Sequence, residues 1–164
     1  MQKMIFFDID GTIWDDKMQI PKSTIQTIQK LKENGHKTFL CSGRGRANIR
    51  SEKLLSLGFD GIIAACGNHI EMDGKILYEK LLSQELIKKA LKLLEANRMP
   101  VILEGPVYHW TDEDSFAEDP FVDIIRREMG KYLLPITGYG KDYVINKFSA
   151  DIMPDSNFDA VREG

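Results

Sequence analysis

Two aspartates stand two positions apart in the run Phe7-Asp8-Ile9-Asp10-Gly11-Thr12. Were the preceding strand to continue, both carboxylates would point to the same side and repel each other, so the pair calls for a cation or a shared proton. Gly11 and Thr12 supply a tight turn whose free backbone N–H groups can hold an anion. One aspartate of such a pair can attack phosphorus and form an aspartyl phosphate, while its neighbour handles the leaving-group proton. A magnesium ion joining phosphate oxygen and carboxylate would offset the repulsion between the two anions. A calcium loop is the competing reading of an Asp-x-Asp-Gly run. It fails, because the fifth and twelfth positions counted from Asp8 hold Thr12 and Gln19, where such a loop needs an acidic or amide residue and a glutamate.

A second candidate is Cys41-Ser42-Gly43-Arg44. A small hydroxyl followed by glycine, at a turn from strand to helix, can hold phosphate through Oγ and through N–H groups near the helix start. Alone, Ser-Gly is an ordinary turn.

The elements around these residues must bring them to one place. Met4–Phe7 is a continuous apolar run, the pattern of a strand buried on both faces. Pro21 opens a periodic segment with Ile25, Ile28 and Leu31 on one face, closed by Asn34-Gly35. Lys37–Cys41 reads as a second strand, Ala47–Leu57 as a second helix stopped by Gly58, and Gly61–Ala65 as a third strand. Strands alternating with helices predict a parallel α/β sheet. Ligands bind outside the carboxyl ends of such strands, which is where both motifs lie.

After Gly67 the pattern changes. His69–Met72 and Lys75–Tyr78 flank Asp73-Gly74, a hairpin signal. Ser83–Asn97 is a strongly amphipathic helix, and Val101–Glu104 with Val107–Trp110 flank a Gly105-Pro106 turn. Asp119-Pro120 reads as an N-cap and first helical residue of a helix to about Met129. Tyr143–Met153 reads as a late strand pair or one bent strand. The change of order places a domain boundary near Lys80-Leu81-Leu82, giving domains 1–81 and 82–164.

The run Asp8-Ile9-Asp10-Gly11-Thr12, directly after an apolar N-terminal strand, resembles the first motif (Asp-x-Asp-Gly-Thr) of the haloacid dehalogenase (HAD) superfamily. Ser42-Gly43-Arg44 is similar to the Ser-Gly-Arg form of the second motif in its Cof-like branch. The resemblance implies an α/β fold: a Rossmann-like parallel core with a separate α/β cap domain. It implies Asp8 as nucleophile and Asp10 as general acid/base, with magnesium held by the Asp8 carboxylate and the Asp10 main-chain carbonyl. Gly11, Thr12, Ser42 and Gly43 would hold the phosphoryl group, and Arg44 would face the substrate or the cap. For Arg44 a solvated side chain among Arg46 and Arg50 stays open as the alternative.

The implied activity is hydrolysis of a small phosphorylated metabolite through an aspartyl phosphate, with Mg2+ as cofactor. The rivals are a phosphomutase, or a truncated or degenerate chain that binds phosphate or a partner without turnover. Cys66-Gly67-Asn68 departs from the branch, which carries asparagine where Cys66 stands. The superfamily also needs a late lysine and an acidic cluster, whereas this sequence reaches Glu163-Gly164 inside the cap. An oligomer would be one way to complete such a core. Lys147, Asp155 and Asp159 mimic the late motifs, but Lys147 and Asp155 are too close for the intervening helix and strand. Residues 156–163 read instead as a cap helix with Ser156 as N-cap.

Composition narrows the classes further. The 164 residues carry a net charge of -3 with 43% hydrophobic and 29% charged residues, a core-forming balance without the basic face that nucleic acid requires. The apolar run at the N-terminus is too short for a signal peptide or membrane span, so a cytoplasmic protein is expected. Cys41 and Cys66 read as reduced, buried thiols. His36, His69 and His109 lack metal spacing. The acidic stretch Asp112-Glu113-Asp114 with Glu118-Asp119 reads as a solvated helix cap, and Tyr108, Trp110 and Phe121 as cap core.

Overall fold

The computed structural model describes residues 1–15, 17–112 and 120–163, with only the backbone of Pro120 and Phe121. They form two compact units: Met1–Arg44 with Ile49–Lys80, and Gly45–Asn48 with the chain from Leu81 on.

The first unit is built on a five-stranded sheet in the order β1-β2-β3-β4-β5. Strands β1 (Met4–Phe7), β2 (Lys37–Cys41) and β3 (Gly61–Ala64) run parallel, and β4 (His69–Met72) and β5 (Lys75–Glu79) continue the sheet antiparallel. Helix α1 (Lys22–Glu33) starts after Pro21, buries Ile28 fully, and ends on Lys30 and Lys32, where cations favour the helix dipole. Ile9, Ile13, Trp14, Leu40, Ile49, Leu54, Ile62 and Ala64 form one apolar core. Gly61 lets three strands approach closely, since a Cβ there would lie 2.5 Å from the Glu71 carbonyl oxygen and 2.8 Å from the Phe39 ring.

Three sequence expectations are corrected in this unit. β1 is not buried on both faces: Met4 is 63% and Phe6 51% exposed. Among the described residues the strand pairs with β2 alone, and Phe6 stacks on Phe39 at 5.1 Å. The helix expected over Ala47–Leu57 is broken. Arg46–Asn48 form a single 3-10 turn, and a short helix α2 (Glu52–Leu55) starts afresh at Ser51, whose Oγ accepts the Leu54 N–H at 3.4 Å. The chain is interrupted because Gly45–Asn48 pack into the second unit. Cys41 and Cys66, expected buried, are both free and exposed, one at the end of β2 and the other in the turn after β3.

The second unit has a four-stranded sheet in the order β8-β7-β6-β9, comprising β6 (Val101–Glu104), β7 (His109–Thr111), β8 (Leu133–Pro135) and β9 (Lys147–Ala150). β6 is buried along its whole length and runs antiparallel to both neighbours. Alternation along β6 feeds two cores. Val101 and Leu103 pack with Ile87, Leu91 and Leu94 of α3 (Gln84–Ala96), whose N-cap Ser83 accepts the Leu86 N–H at 3.2 Å. Ile102 packs with Ala47 and with Val122, Ile125 and Met129 of α4 (Pro120–Met129). The 3-10 turn is pinned here too, as the Ala47 N–H donates to the Gly105 carbonyl at 3.3 Å.

Only residues 147–150 of the expected Tyr143–Met153 strand are extended in the sheet, and β8 had no sequence signal. The last helix, α5 (Phe158–Glu163), is capped by Asn157 rather than Ser156. The Asn157 Oδ1 accepts the Ala160 N–H at 3.3 Å, while the Ser156 hydroxyl donates to the Arg98 carbonyl at 2.6 Å. The expected Asp119 cap and the acidic residues 113, 114 and 118 lie outside the described residues. Among the described residues no helix is long and apolar enough to cross a membrane.

Candidate active site

β1 ends at Phe7, so Asp8 is the first residue beyond the sheet, at the carboxyl end of the strand. The chain then turns at Gly11, whose φ of +71° lies in the left-handed region that glycine enters without strain. The N–H groups of Thr12, Ile13 and Trp14 converge on the Ile9 carbonyl at 3.3, 3.1 and 3.4 Å. The Thr12 N–H is therefore engaged in the turn, contrary to the expectation of a free donor. Asp8 is exposed, and among the described residues its carboxylate has no hydrogen-bond or ion-pair partner.

Asp10 is held quite differently. Arg44 grips it with two parallel hydrogen bonds, Nε to Oδ2 at 2.9 Å and Nη2 to Oδ1 at 2.7 Å, the strong bidentate geometry of guanidinium and carboxylate. The Trp14 indole N–H donates to the same Oδ1 at 3.0 Å, and the Arg44 guanidinium lies over the Trp14 ring, 5.2 Å from its centroid. These hydrogen bonds, Arg44's first, hold the Asp10 carboxyl below its ordinary value despite partial burial. The contribution of Asp10 to stability is then present above its unfolded value of 3.8 and lost as pH falls through the lower folded value. Replacing Arg44 with methionine is expected to return the Asp10 titration upward toward that value, as read from its side-chain carboxyl resonance by NMR.

Arg44 also ties the first loop to the second. Its backbone N–H donates to the Ser42 Oγ at 3.2 Å, and its carbonyl accepts the Ala65 N–H at 2.8 Å. Ser42 is buried (7% exposed), with its N–H on the Ile63 carbonyl at 2.9 Å. Ala65 and Cys66 adopt left-handed φ of 51° and 56°, which turns the Cys66 Sγ to within 4.0 Å of the Gly43 carbonyl oxygen. The loops after β1, β2 and β3 thus converge, joining Asp10, Ser42, Gly43 and Arg44. Of the two readings left open for Arg44, the solvated one does not hold, since its side chain is only 15% exposed. Trp14 was missed. An indole four residues beyond Asp10 was its only sequence signal, and nothing in the residue order says that its N–H turns to the carboxylate.

The residues that mimicked the late motifs are engaged in the second unit. Lys147 donates to the buried Glu104 at 2.6 Å, Asp155 pairs with Arg98 at 3.1 Å, and Asp159 with Arg162 at 3.4 Å. A magnesium ion prefers hard oxygen donors and keeps much of its water. The unpartnered carboxylate of Asp8 and the main-chain carbonyl of Asp10 fit that requirement. No group of three or more His, Cys, Asp or Glu able to hold a metal occurs among the described residues.

The chain is 35% identical over 100 residues to the Bacillus subtilis (strain 168) protein named "Putative phosphatase YkrA", covering 61% of this chain and 38% of that protein. It is 27% identical over 155 residues to the 5-amino-6-(5-phospho-D-ribitylamino)uracil phosphatase YitU of the same organism, covering 85% and 56%. The solved sugar phosphatase BT4131, described as HAD subclass IIB, superposes with a TM-score of 0.75 at 20% identity, covering 98% of this chain and 62% of that one. The chain thus spans between about two fifths and three fifths of the length of these proteins. The family model for haloacid dehalogenase-like hydrolases matches residues 5–152, and the chain belongs to that family.

Proposed function

We propose that this chain carries the nucleophilic part of a phosphomonoester hydrolase acting on a small phosphorylated metabolite. The observation that carries the reading is the contrast between two aspartates in one loop. Asp8 is exposed and unpartnered at the end of β1, and Asp10 is held ionised by Arg44 and Trp14. An unpartnered carboxylate keeps its lone pairs for attack, and an oriented neighbour suits proton transfer.

An Asp8 carboxylate oxygen attacks phosphorus, and the bond from phosphorus to the substrate oxygen breaks. The leaving oxygen takes a proton from Asp10, so that carboxylate must first part from Arg44 and take up a proton from solvent. Water then attacks the phosphorus of the aspartyl phosphate, Asp10 takes its proton, and phosphate leaves with the Asp8 carboxylate restored. Ser42 and the N–H of Gly11 would hold the phosphoryl oxygens, with Thr12 and Gly43 shaping the loops around them. Magnesium on Asp8 and the Asp10 carbonyl would supply charge compensation between nucleophile and phosphate. The second unit would act as the cap that selects the substrate, over domains 1–81 and 82–164. Phosphatases among the relatives support this substrate class, the net charge of -3 gives no reason to expect nucleic acid, and the cytoplasm is the proposed compartment.

Binding without turnover is the second reading, and one observation favours it. Lys147, the sequence's candidate for the late lysine, pairs with Glu104 at 2.6 Å rather than standing ready for a phosphate. The test is phosphate release from an aryl phosphate by the purified chain, with magnesium and with chelator. Release that stops with chelator supports hydrolysis. No release from a folded chain that still binds orthophosphate supports binding without turnover.

A further inference from the structure

Trp14 sits in the first unit's core at 6% exposure, packed with Ile9, Ile13 and Leu40. A core residue with an N–H must find that group a partner, and usually a main-chain carbonyl serves. Here the partner is the carboxylate of Asp10, at 3.0 Å. The same ring carries the Arg44 guanidinium on its face at 5.2 Å. One side chain therefore touches both members of the Asp10–Arg44 pair, one through its edge and the other through its π face. The ring itself cannot move, because a bicyclic side chain buried among branched aliphatics has no free rotamer.

We propose that Trp14 is a positioning residue, a fixed platform that sets the mutual orientation of Asp10 and Arg44 at the mouth of the site. The proposal rests on the reading of Asp10 and Arg44 as members of a phosphoryl-transfer site. It goes beyond that reading, because it assigns their geometry to an aromatic residue that makes no contact with phosphate. The division of labour follows from the bonds. The Trp14 N–H donates to Oδ1 of Asp10, the same oxygen that accepts from Arg44 Nη2, so indole and guanidinium meet on one carboxylate oxygen. The π face then carries the cation without offering it a competing acceptor, since an aromatic quadrupole attracts a guanidinium without neutralising it. Arg44 is thereby oriented by Trp14 on one side and by the Asp10 carboxylate on the other. A leucine at this position would fill part of the same volume and provide neither contact.

The test is NMR on the 15N-labelled chain, with Trp14→Leu, Trp14→Phe and Arg44→Lys variants and thermal unfolding as a fold control. The Arg44 Nε–H, identified as the side-chain signal that Arg44→Lys removes, is expected to be protected from exchange in the parent chain. Trp14→Leu should speed that exchange by about tenfold, and Trp14→Phe, which keeps the ring face, by about threefold. Unchanged exchange in a folded Trp14→Leu protein overturns the proposal, because a mere core filler would leave Arg44 unaffected. Should Trp14→Leu not fold, the reciprocal measurement decides. The chain has two tryptophans and so two indole N–H signals, and Arg44→Lys, which leaves the core intact, should move that of Trp14. An unmoved signal likewise overturns the proposal. Phosphate release by the same parent sample reads the phosphatase proposal independently. Protection without release sinks hydrolysis and leaves Trp14's role standing, whereas release without dependence of Arg44 on Trp14 does the reverse.

Discussion

Asparagine in place of Asp8 is expected to lower magnesium-dependent phosphate release by roughly a thousandfold or more, while leaving stability unchanged. An amide oxygen has nearly the shape of a carboxylate oxygen but is a poor nucleophile toward phosphorus. It also binds magnesium more weakly, so both proposed roles are lost together. Stability should not follow, because Asp8 is exposed and without a partner among the described residues. Loss of rate at an unchanged melting temperature separates a chemical role from a structural one. Asparagine at position 10 is expected to behave differently, weakening the bidentate pair with Arg44 and disturbing the loop as well as the rate.

Alanine in place of Glu104 is expected to destabilise the second unit by about 3 kcal/mol, the cost of leaving a largely buried partner charge uncompensated. Oε1 of Glu104 accepts from Lys147 Nζ and from Ser149 Oγ, each at 2.6 Å, and Oε2 accepts the Gly45 N–H at 3.0 Å. Removal of this carboxylate takes an acceptor from an ammonium, a hydroxyl and a main-chain donor at once. Burial pushes the Glu104 carboxyl up, but Lys147, the Ser149 hydrogen bond and the charge of His109 outweigh it, so the group titrates below its ordinary 4.5. Its stabilisation is therefore complete above that unfolded value and is lost as pH falls through the lower folded value. Urea unfolding at neutral pH and at progressively lower pH checks both points. The alanine variant should show a lower midpoint at neutral pH, and its deficit relative to the parent should shrink as the solution is acidified. A deficit independent of pH would mean that packing rather than charge is at stake.

Much of the fold was legible because local signals agreed with one another. Pro21 and Asn34-Gly35 bracket α1, Ser83 caps α3, and Asp73-Gly74 turns the β4–β5 hairpin. Each is a local hydrogen-bond or dihedral preference, readable without knowledge of distant residues. Misreadings arose where a distant partner decides. The break at Ser51 follows from capture of Gly45–Asn48 by Gly105 and Glu104, some 60 residues further along. β1 looked doubly buried because its composition is apolar, whereas burial depends on neighbours, and among the described residues it pairs with β2 alone. The site divides in the same way. Motif spacing singles out Asp8, Asp10, Ser42 and Arg44 as the proposed site, and the structure joins Asp10 to Arg44 and Arg44 to Ser42. The indole beneath Arg44, and the occupation of the Thr12 N–H by Ile9, depend on how the turn closes, which residue order alone does not specify.

An oxygen of Asp8 is the proposed nucleophile toward phosphorus. Acid quenching of the chain during turnover of an aryl phosphate, followed by mass analysis of its peptides, tests it most directly. One added phosphoryl group is expected on the peptide containing Asp8, labile to hydroxylamine and absent from the Asp8→Asn protein. Phosphate release without any such adduct, or an adduct that survives in Asp8→Asn, would contradict it.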